Sequence, residues 1–275
     1  MDRYLLGNFN LERNPHSGDL LLMVDGATVY KSILSRAFPS LYFSRTFEDR
    51  YGEFSWGVYI KGADEDNAIE IENFCNFLQD AIYIDDDLDE SFALSYHTKT
   101  SPSGGYERTP VGQLVRDAKP YDRGWNAGNQ GKAEELAQLM VEFIQAHPTY
   151  ANADLLAAVP PSNPNKPFDL PTYLVEIIAQ STNQTIATSS LKKVRTTRQM
   201  KECRTIQEKI DNIKDAFAAD AATFKGKTII LVDDIYQTGF SINEVGRVLK
   251  QTGDKYILGL VATKTAQDLS EDMLP

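Results

Sequence analysis

The segment Thr228–Ser241, Thr-Ile-Ile-Leu-Val-Asp-Asp-Ile-Tyr-Gln-Thr-Gly-Phe-Ser, constrains this chain more than any other. An unbroken apolar, β-branched run over Thr228–Asp233 predicts a strand buried on both faces, as in the interior of a parallel sheet. Two acids, Asp233 and Asp234, close the run, and a turn around Gly239 follows. Ser241–Lys250 then carries Ile242, Val245, Val248 and Leu249 at helical spacing, Gly253 ends that helix, and Tyr256–Thr263 reads as a further strand. Strand, helix and strand in this order make a βαβ unit.

The same alternation extends upstream. Gly131–Ala146 places Leu136, Leu139, Met140, Phe143 and Ile144 on one helical face, and His147-Pro148 ends it. Leu155–Val159 is a short apolar strand that stops at Pro160-Pro161. Leu170–Gln180 is helical, with Pro171 in the first turn, where a missing N–H costs little. Alternating elements from about residue 130 predict an α/β fold, an open, mostly parallel sheet flanked by helices. Residues 1–100 read differently. Leu20–Val24, Phe54–Ile60 and Ser91–Tyr96 look like strands and Ala68–Phe77 like a helix, so an α+β extension is expected there. It is rich in aromatics: Phe38, Tyr42, Phe43, Phe47, Tyr51, Phe54, Trp56 and Tyr59. Ser101-Pro102-Ser103-Gly104-Gly105 reads as a joint, giving an expected division into 1–108 and 109–275.

Charge follows a similar division. The 275 residues carry a net charge of −11, and residues 1–100 hold 18 acidic side chains against 8 basic ones. The acidic run Asp85–Glu90 lacks the glycine of a calcium loop and is expected to be a solvated loop. Lys192–Lys214 has the opposite character, with eight basic residues and three acidic ones, and reads as a mobile, positively charged loop leading into a short helix. A pI near 4.8 argues against wholesale coating of nucleic acid. No apolar run is long enough for a transmembrane helix, and Met1-Asp2-Arg3-Tyr4 does not open a signal peptide. Two cysteines, Cys75 and Cys203, are too few for a disulfide framework or a cysteine zinc site, so a cytoplasmic location is expected.

The chemistry is concentrated at residues 233–241. Acids at the carboxyl end of a buried strand sit where ligands of open α/β sheets bind. A hydroxyl residue, a glycine and another hydroxyl residue before a helix N-terminus present successive N–H groups, which make a phosphate cradle. Acids for sugar hydroxyls beside such a cradle describe a pentose-phosphate site.

This segment resembles the phosphoribosyl-diphosphate (PRPP) motif of type I phosphoribosyltransferases. The resemblance implies that Asp233 and Asp234 hold the ribose hydroxyls and that Gln237, Thr238, Gly239, Phe240 and Ser241 wrap the 5′-phosphate. Tyr236 and Gln237 depart from the commoner small or aliphatic residues. Over residues 109–265 the order of segments is most similar to the ComF-like branch. Thr109–Lys119 resembles its entry helix, with Lys119 as a possible phosphate contact. Val159, Pro160, Pro161 and Ser162 fall in the pyrophosphate-loop positions. Arg195–Phe217 resembles its flexible loop, with Gln199 and Asn212 in place and Arg195, Arg198, Lys201 and Arg204 available to close over the pyrophosphate. The cysteine-rich zinc ribbon that often opens ComF-like proteins is missing here.

The resemblance implies a pentosyltransferase that uses PRPP with Mg²⁺, bound through PRPP with Asp233 and Asp234 as candidate ligands, to modify a nucleobase or amine nitrogen with release of pyrophosphate. No catalytic base stands out. Few residues follow the last expected strand, so the hood that reads the acceptor is expected within 1–108, where a protein-interaction surface is the competing reading. A regulatory protein that only binds PRPP or nucleotide, and an accessory of DNA uptake or defence acting with a protein partner, remain alternatives. A homo-oligomer is possible, and no membrane partner is expected.

Overall fold

The computed structural model describes residues 5–101, 104–121, 124–163, 167–198 and 202–265. The chain divides into two compact units, residues 1–83 with 146–149, and residues 84–145 with 150–275.

In the first unit, β1 (Phe9–Arg13), β2 (Leu20–Val24), β3 (Tyr42–Phe43) and β4 (Trp56–Lys61) form an antiparallel sheet of order β1-β2-β4-β3. Alternation decides its faces: Leu20, Leu22 and Val24 are buried, while Leu21 and Met23 point the other way. Two helices, α1 (Val29–Ala37) and α2 (Glu65–Asp80), supply the covering layer through Tyr30, Ile33 and Leu34 and through Ile71, Phe74, Cys75 and Leu78. Helix α2 starts at Glu65, three residues before the expected Ala68, where Asp64 and Asn67 form a capping box. Burial, with Glu72 nearby, pushes the Cys75 thiol up to about 12, so it behaves as a core side chain. The expected aromatic surface is split: Phe38, Phe43 and Trp56 are buried, while Phe47, Tyr51, Phe54 and Tyr59 line a cavity of 540 Å³ on the outer sheet face. The two-residue strand β5 (Ile82–Tyr83) ends this unit.

The second unit begins with β6 (Glu90–Tyr96), the hairpin of β7 (Thr98–Thr100) and β8 (Tyr106–Arg108), α3 (Pro110–Ala118), α4 (Ala127–Ala146) and the single turn α5 (Pro148–Ala151). Then come β9 (Leu155–Ala158), α6 (Leu170–Ser181), β10 (Thr185–Ile186), β11 (Leu191–Lys193), α7 (Ile206–Ile213), β12 (Phe217–Ala219), α8 (Ala221–Phe224), β13 (Thr228–Tyr236), α9 (Phe240–Lys250) and β14 (Tyr256–Lys264). Within this unit five strands pair in parallel in the order β10-β9-β13-β14-β6. The open, parallel α/β sheet expected from the sequence is therefore present. Its strands read as continuous apolar runs because helices cover both faces. The connections from β9 to β10 and from β13 to β14 run in opposite directions along the sheet, and the right-handed rule for such crossovers sends α6 and α9 to opposite sides. The reversal lies between β9 and β13, and ligands of open sheets bind at such a switch point, outside the carboxyl ends of the strands.

Two expectations are corrected. The boundary at 108/109 is too late, because β6 pairs with β14 from Glu90↔Leu258 to Tyr96↔Lys264 and so belongs to the core sheet. The compact units divide between Tyr83 and Ile84 instead. Nor is Asp85–Glu90 a solvated loop. Asp86 accepts from the Leu88 N–H and the Ser91 hydroxyl, both at 3.0 Å, Asp89 accepts from the Ile257 N–H at 2.8 Å, and Glu90 is buried. Burial pushes the Asp86 carboxyl up to about 6. The run is a folded turn that launches β6. Among the described residues no helix is long and apolar enough to cross a membrane.

Candidate functional site

Strand β13 runs past its buried portion to Tyr236, with Asp233 and Asp234 inside the extension. Period-two alternation sends neighbouring side chains to opposite faces. Asp233 accordingly lines a small cavity of 100 Å³ shared with Gln237, Thr238, Gly239, Phe240 and Ser241. Asp234 lines a different one, of 440 Å³, with Lys119, Phe168 and Asp169. Burial, then the adjacent Asp234 charge, raises the Asp233 carboxyl well above the ordinary carboxylate range, with Lys119 opposing and Asp169 adding to the shift. The Asp234 N–H donates to Asp233 at 2.8 Å. Asp234 itself is ion-paired with Lys119 at 2.7 Å. Lys119, the C-cap of α3, therefore stands at the acidic pair.

The turn after β13 depends on Gly239. Its φ of 72° is left-handed, and a Cβ there would collide with the Tyr236 hydroxyl. Helix α9 follows without a side-chain cap. The N–H groups of its first turn are thus offered to whatever occupies the cavity beside Asp233. Position 236 departs from the motif because its ring is folded over this turn.

The four residues after β9 behave less as expected. Val159 and Pro160 are buried, and the Val159 N–H is spent on the Val232 carbonyl at 2.9 Å. Pro160 and Pro161 have no N–H to give. Of the four, Ser162 is the exposed residue with both an N–H and a hydroxyl. Its carbonyl accepts from Lys193 Nζ at 2.8 Å, and the same ammonium reaches Thr197 Oγ1 at 2.6 Å. Lys193 thus latches the basic loop to the end of β9. Burial, then Arg195, lowers its pKa.

In the basic segment, β11 and β12 form an antiparallel ribbon that carries α7. Arg195 donates to the carbonyls of Asn212 at 3.0 Å and Lys214 at 2.5 Å, closing the C-terminus of α7, so its guanidinium is committed to the loop. Asn212 exchanges two hydrogen bonds with the Arg198 backbone, at 2.9 and 3.0 Å. The Arg204 N–H donates to Glu208 at 2.8 Å. The Arg198 and Arg204 side chains are exposed. Gln199 and Lys201 lie outside the described residues. Helix α9 anchors the far end of the segment: Glu244 accepts from the Asp215 N–H at 2.7 Å and from Arg247 at 2.7 and 2.8 Å. Lys193→Ala should release the latch. With two hydrogen bonds of about 1 kcal/mol each removed, tryptic cleavage within 195–209 is expected to quicken roughly thirtyfold. An unchanged cleavage rate would show that the latch does not hold the loop.

Three contributors were missed from sequence. Lys193 was hidden among eight basic residues. His97 follows β6, which had been placed in the wrong unit. Its Nδ1 is 3.0 Å from Thr263 Oγ1, which lies 3.4 Å from the Asp234 carbonyl. Burial, then Arg108 and Lys119, lowers its pKa, with Asp234 opposing the shift. Asp169 caps α6 through the Thr172 N–H at 3.2 Å, a role legible in Asp-Leu-Pro, and lines the larger cavity.

No protein-family model and no curated protein matches this chain. Among solved structures it is similar to an allosteric regulatory enzyme of purine biosynthesis, with 13% identity, a TM-score of 0.39, and coverage of 94% of this chain and 50% of that one. It is similar to the glutamine PRPP amidotransferase of B. subtilis, solved with ADP and GMP, with 12% identity, a TM-score of 0.39, and coverage of 88% and 46%. A third is the phosphoribosylpyrophosphate synthetase of Mycobacterium smegmatis, with 12% identity, a TM-score of 0.33, and coverage of 88% and 81%. The chain spans about half the length of the first two.

Proposed function

We propose that this protein binds PRPP at the carboxyl edge of its sheet and transfers the phosphoribosyl group to a nitrogen acceptor. One observation carries the reading: the switch point between β9 and β13 is bordered by Asp233, Asp234, the Gly239 turn and the uncapped start of α9. A sugar laid across the end of β13 meets one carboxyl from each side. Its 5′-phosphate falls on the N–H groups of 239–241. Ser162, Lys193 and the exposed Arg198 and Arg204 are then the groups available to the diphosphate, joined by Lys201.

The reaction breaks the C1–O bond, the electron pair leaving with the diphosphate, and forms a C1–N bond from the acceptor lone pair. The acceptor nitrogen afterwards passes its proton to water. Positioning and electrostatic stabilisation supply most of the acceleration in such an exchange. Among the described residues no group of three or more His, Cys, Asp or Glu side chains converges on a metal position. Asp233 and Asp234 are the carboxylates that would be available to hold Mg²⁺ brought in with PRPP. When bound, the ion neutralises the leaving diphosphate.

The amide-poor Val159–Ser162 loop favours a second reading, a regulatory PRPP- or nucleotide-binding protein of the ComF-like branch that works with a protein partner in DNA uptake or defence. Incubation with PRPP, Mg²⁺ and a panel of nucleobases, following pyrophosphate, separates the two. Base-dependent release is expected. PRPP binding without release would establish the regulatory reading, and no PRPP binding at all would refute both.

A further inference from the structure

We propose that the acceptor site lies in the second unit, in the 440 Å³ cavity beside Asp234, and that it takes a planar heteroaromatic ring bearing an amino group. This rests on the PRPP reading above and moves the acceptor away from residues 1–108, where a hood was expected.

The cavity lies in the size range of small-molecule sites, about 300–1,000 Å³. It opens off the face of β13 to which Asp234 points, so a ring inside it adjoins a sugar held at the strand end. Phe168 supplies its aromatic wall, and that ring is braced from behind. Trp125 stacks on it with centroids 3.9 Å apart at 26°, and Tyr173 packs against both, 5.8 Å from Phe168 and 5.0 Å from Trp125. A ring fixed on one side and open to a cavity on the other is a preorganised stacking platform, which spares the ordering cost of binding. Tyr121, 66% exposed, lines the same cavity and can bear on a ring from another side.

Charge selects among flat rings. Among the described residues two carboxylates, Asp169 and Asp234, line the cavity together with Lys119, which Asp234 engages at 2.7 Å. The carboxylate oxygens give the wall a surface of hydrogen-bond acceptors. N–H donors of an amino-substituted ring are complementary to it, whereas a ring carrying its own carboxylate meets repulsion. The site thus favours aminopurines and aminopyrimidines over carboxylated rings.

The probe is 2-aminopurine, whose fluorescence is quenched on stacking, titrated into the full-length protein with and without PRPP and Mg²⁺. Saturable quenching is expected. Phe168→Ala should weaken it roughly tenfold, Phe168→Trp should retain it, and Tyr121→Ala should weaken it severalfold, all at unchanged PRPP affinity by calorimetry. Adenine should displace the probe and orotate should not. Tyr51→Ala, at an exposed aromatic of the first unit, should change nothing. Thermal melts identify any variant that fails to fold, and Phe168→Trp then carries the comparison. Absent quenching, quenching indifferent to Phe168→Ala, or quenching lost in Tyr51→Ala would each overturn this assignment. PRPP binding by the wild type, measured separately, shows whether the function proposed above stands or falls with it.

Discussion

Asp233→Asn is expected to make the protein more stable at neutral pH and unable to hold PRPP. The carboxyl is raised well above its ordinary value of 3.8 by burial and by Asp234. Between 3.8 and the native value the folded state holds a proton that the unfolded state has lost, so wild-type stability falls as pH rises through that window and then levels off. Asparagine keeps an oxygen for the Asp234 N–H and removes the buried charge. The gain should be absent below the unfolded carboxylate range, grow through the window and remain constant above it. An uncompensated buried charge of this kind is worth about 1–3 kcal/mol, or a melting temperature higher by roughly 2–10 °C in a domain of this size. Differential scanning fluorimetry from pH 4 to 8, paired with PRPP calorimetry, makes the measurement. A lower melting temperature at pH 7, or a gain independent of pH, would mean that Asp233 contributes to stability in its charged form. Retained PRPP affinity would place the sugar elsewhere.

Gly239→Ala should have the opposite pattern, losing stability and ligand together. Alanine at φ 72° costs about 1–2 kcal/mol from backbone sterics alone. Its Cβ also meets the Tyr236 hydroxyl, and overpacking of that kind costs about 1–3 kcal/mol more. Adding Tyr236→Ala removes the collision and leaves the backbone term. The double variant is therefore expected to recover part of the lost stability in chemical denaturation and none of the phosphate affinity. If it is no more stable than Gly239→Ala alone, the Tyr236 ring does not lie over the turn in solution.

Much of the second unit was legible because its signals are local and agree with one another. Thr228–Asp233 could hardly be anything but a buried strand. Asp233, Asp234 and Gly239 fall at its end, in the places where a ligand and a left-handed residue are needed. The first unit showed its elements but not its limit. Ser91–Tyr96 read correctly as a strand, yet nothing in seven residues says which sheet a strand will join. The Ser101–Gly105 stretch, which reads as a joint between regions, is instead the loop region of a short hairpin after that strand. Side-chain destinations were harder still. Arg195, expected over a diphosphate, closes α7, a role that depends on where Asn212 and Lys214 arrive after a long excursion. The Trp125, Phe168 and Tyr173 cluster brings the start of α6 against a residue more than forty positions upstream, and no spacing rule announces it.

The pairing of β6 with β14 bears on how the protein can be dissected. A fragment cut at residue 109, where the net charge changes character, would lose the strand that covers β14 along Leu258–Lys264. It would expose a long apolar edge with a full row of unpaired N–H and C=O groups, a ready template for another chain. A cut at Ile84 keeps that edge closed and keeps His97, Thr263 and Asp234 in one piece. A fragment meant to keep the edge of β14 paired therefore has to include the acidic turn.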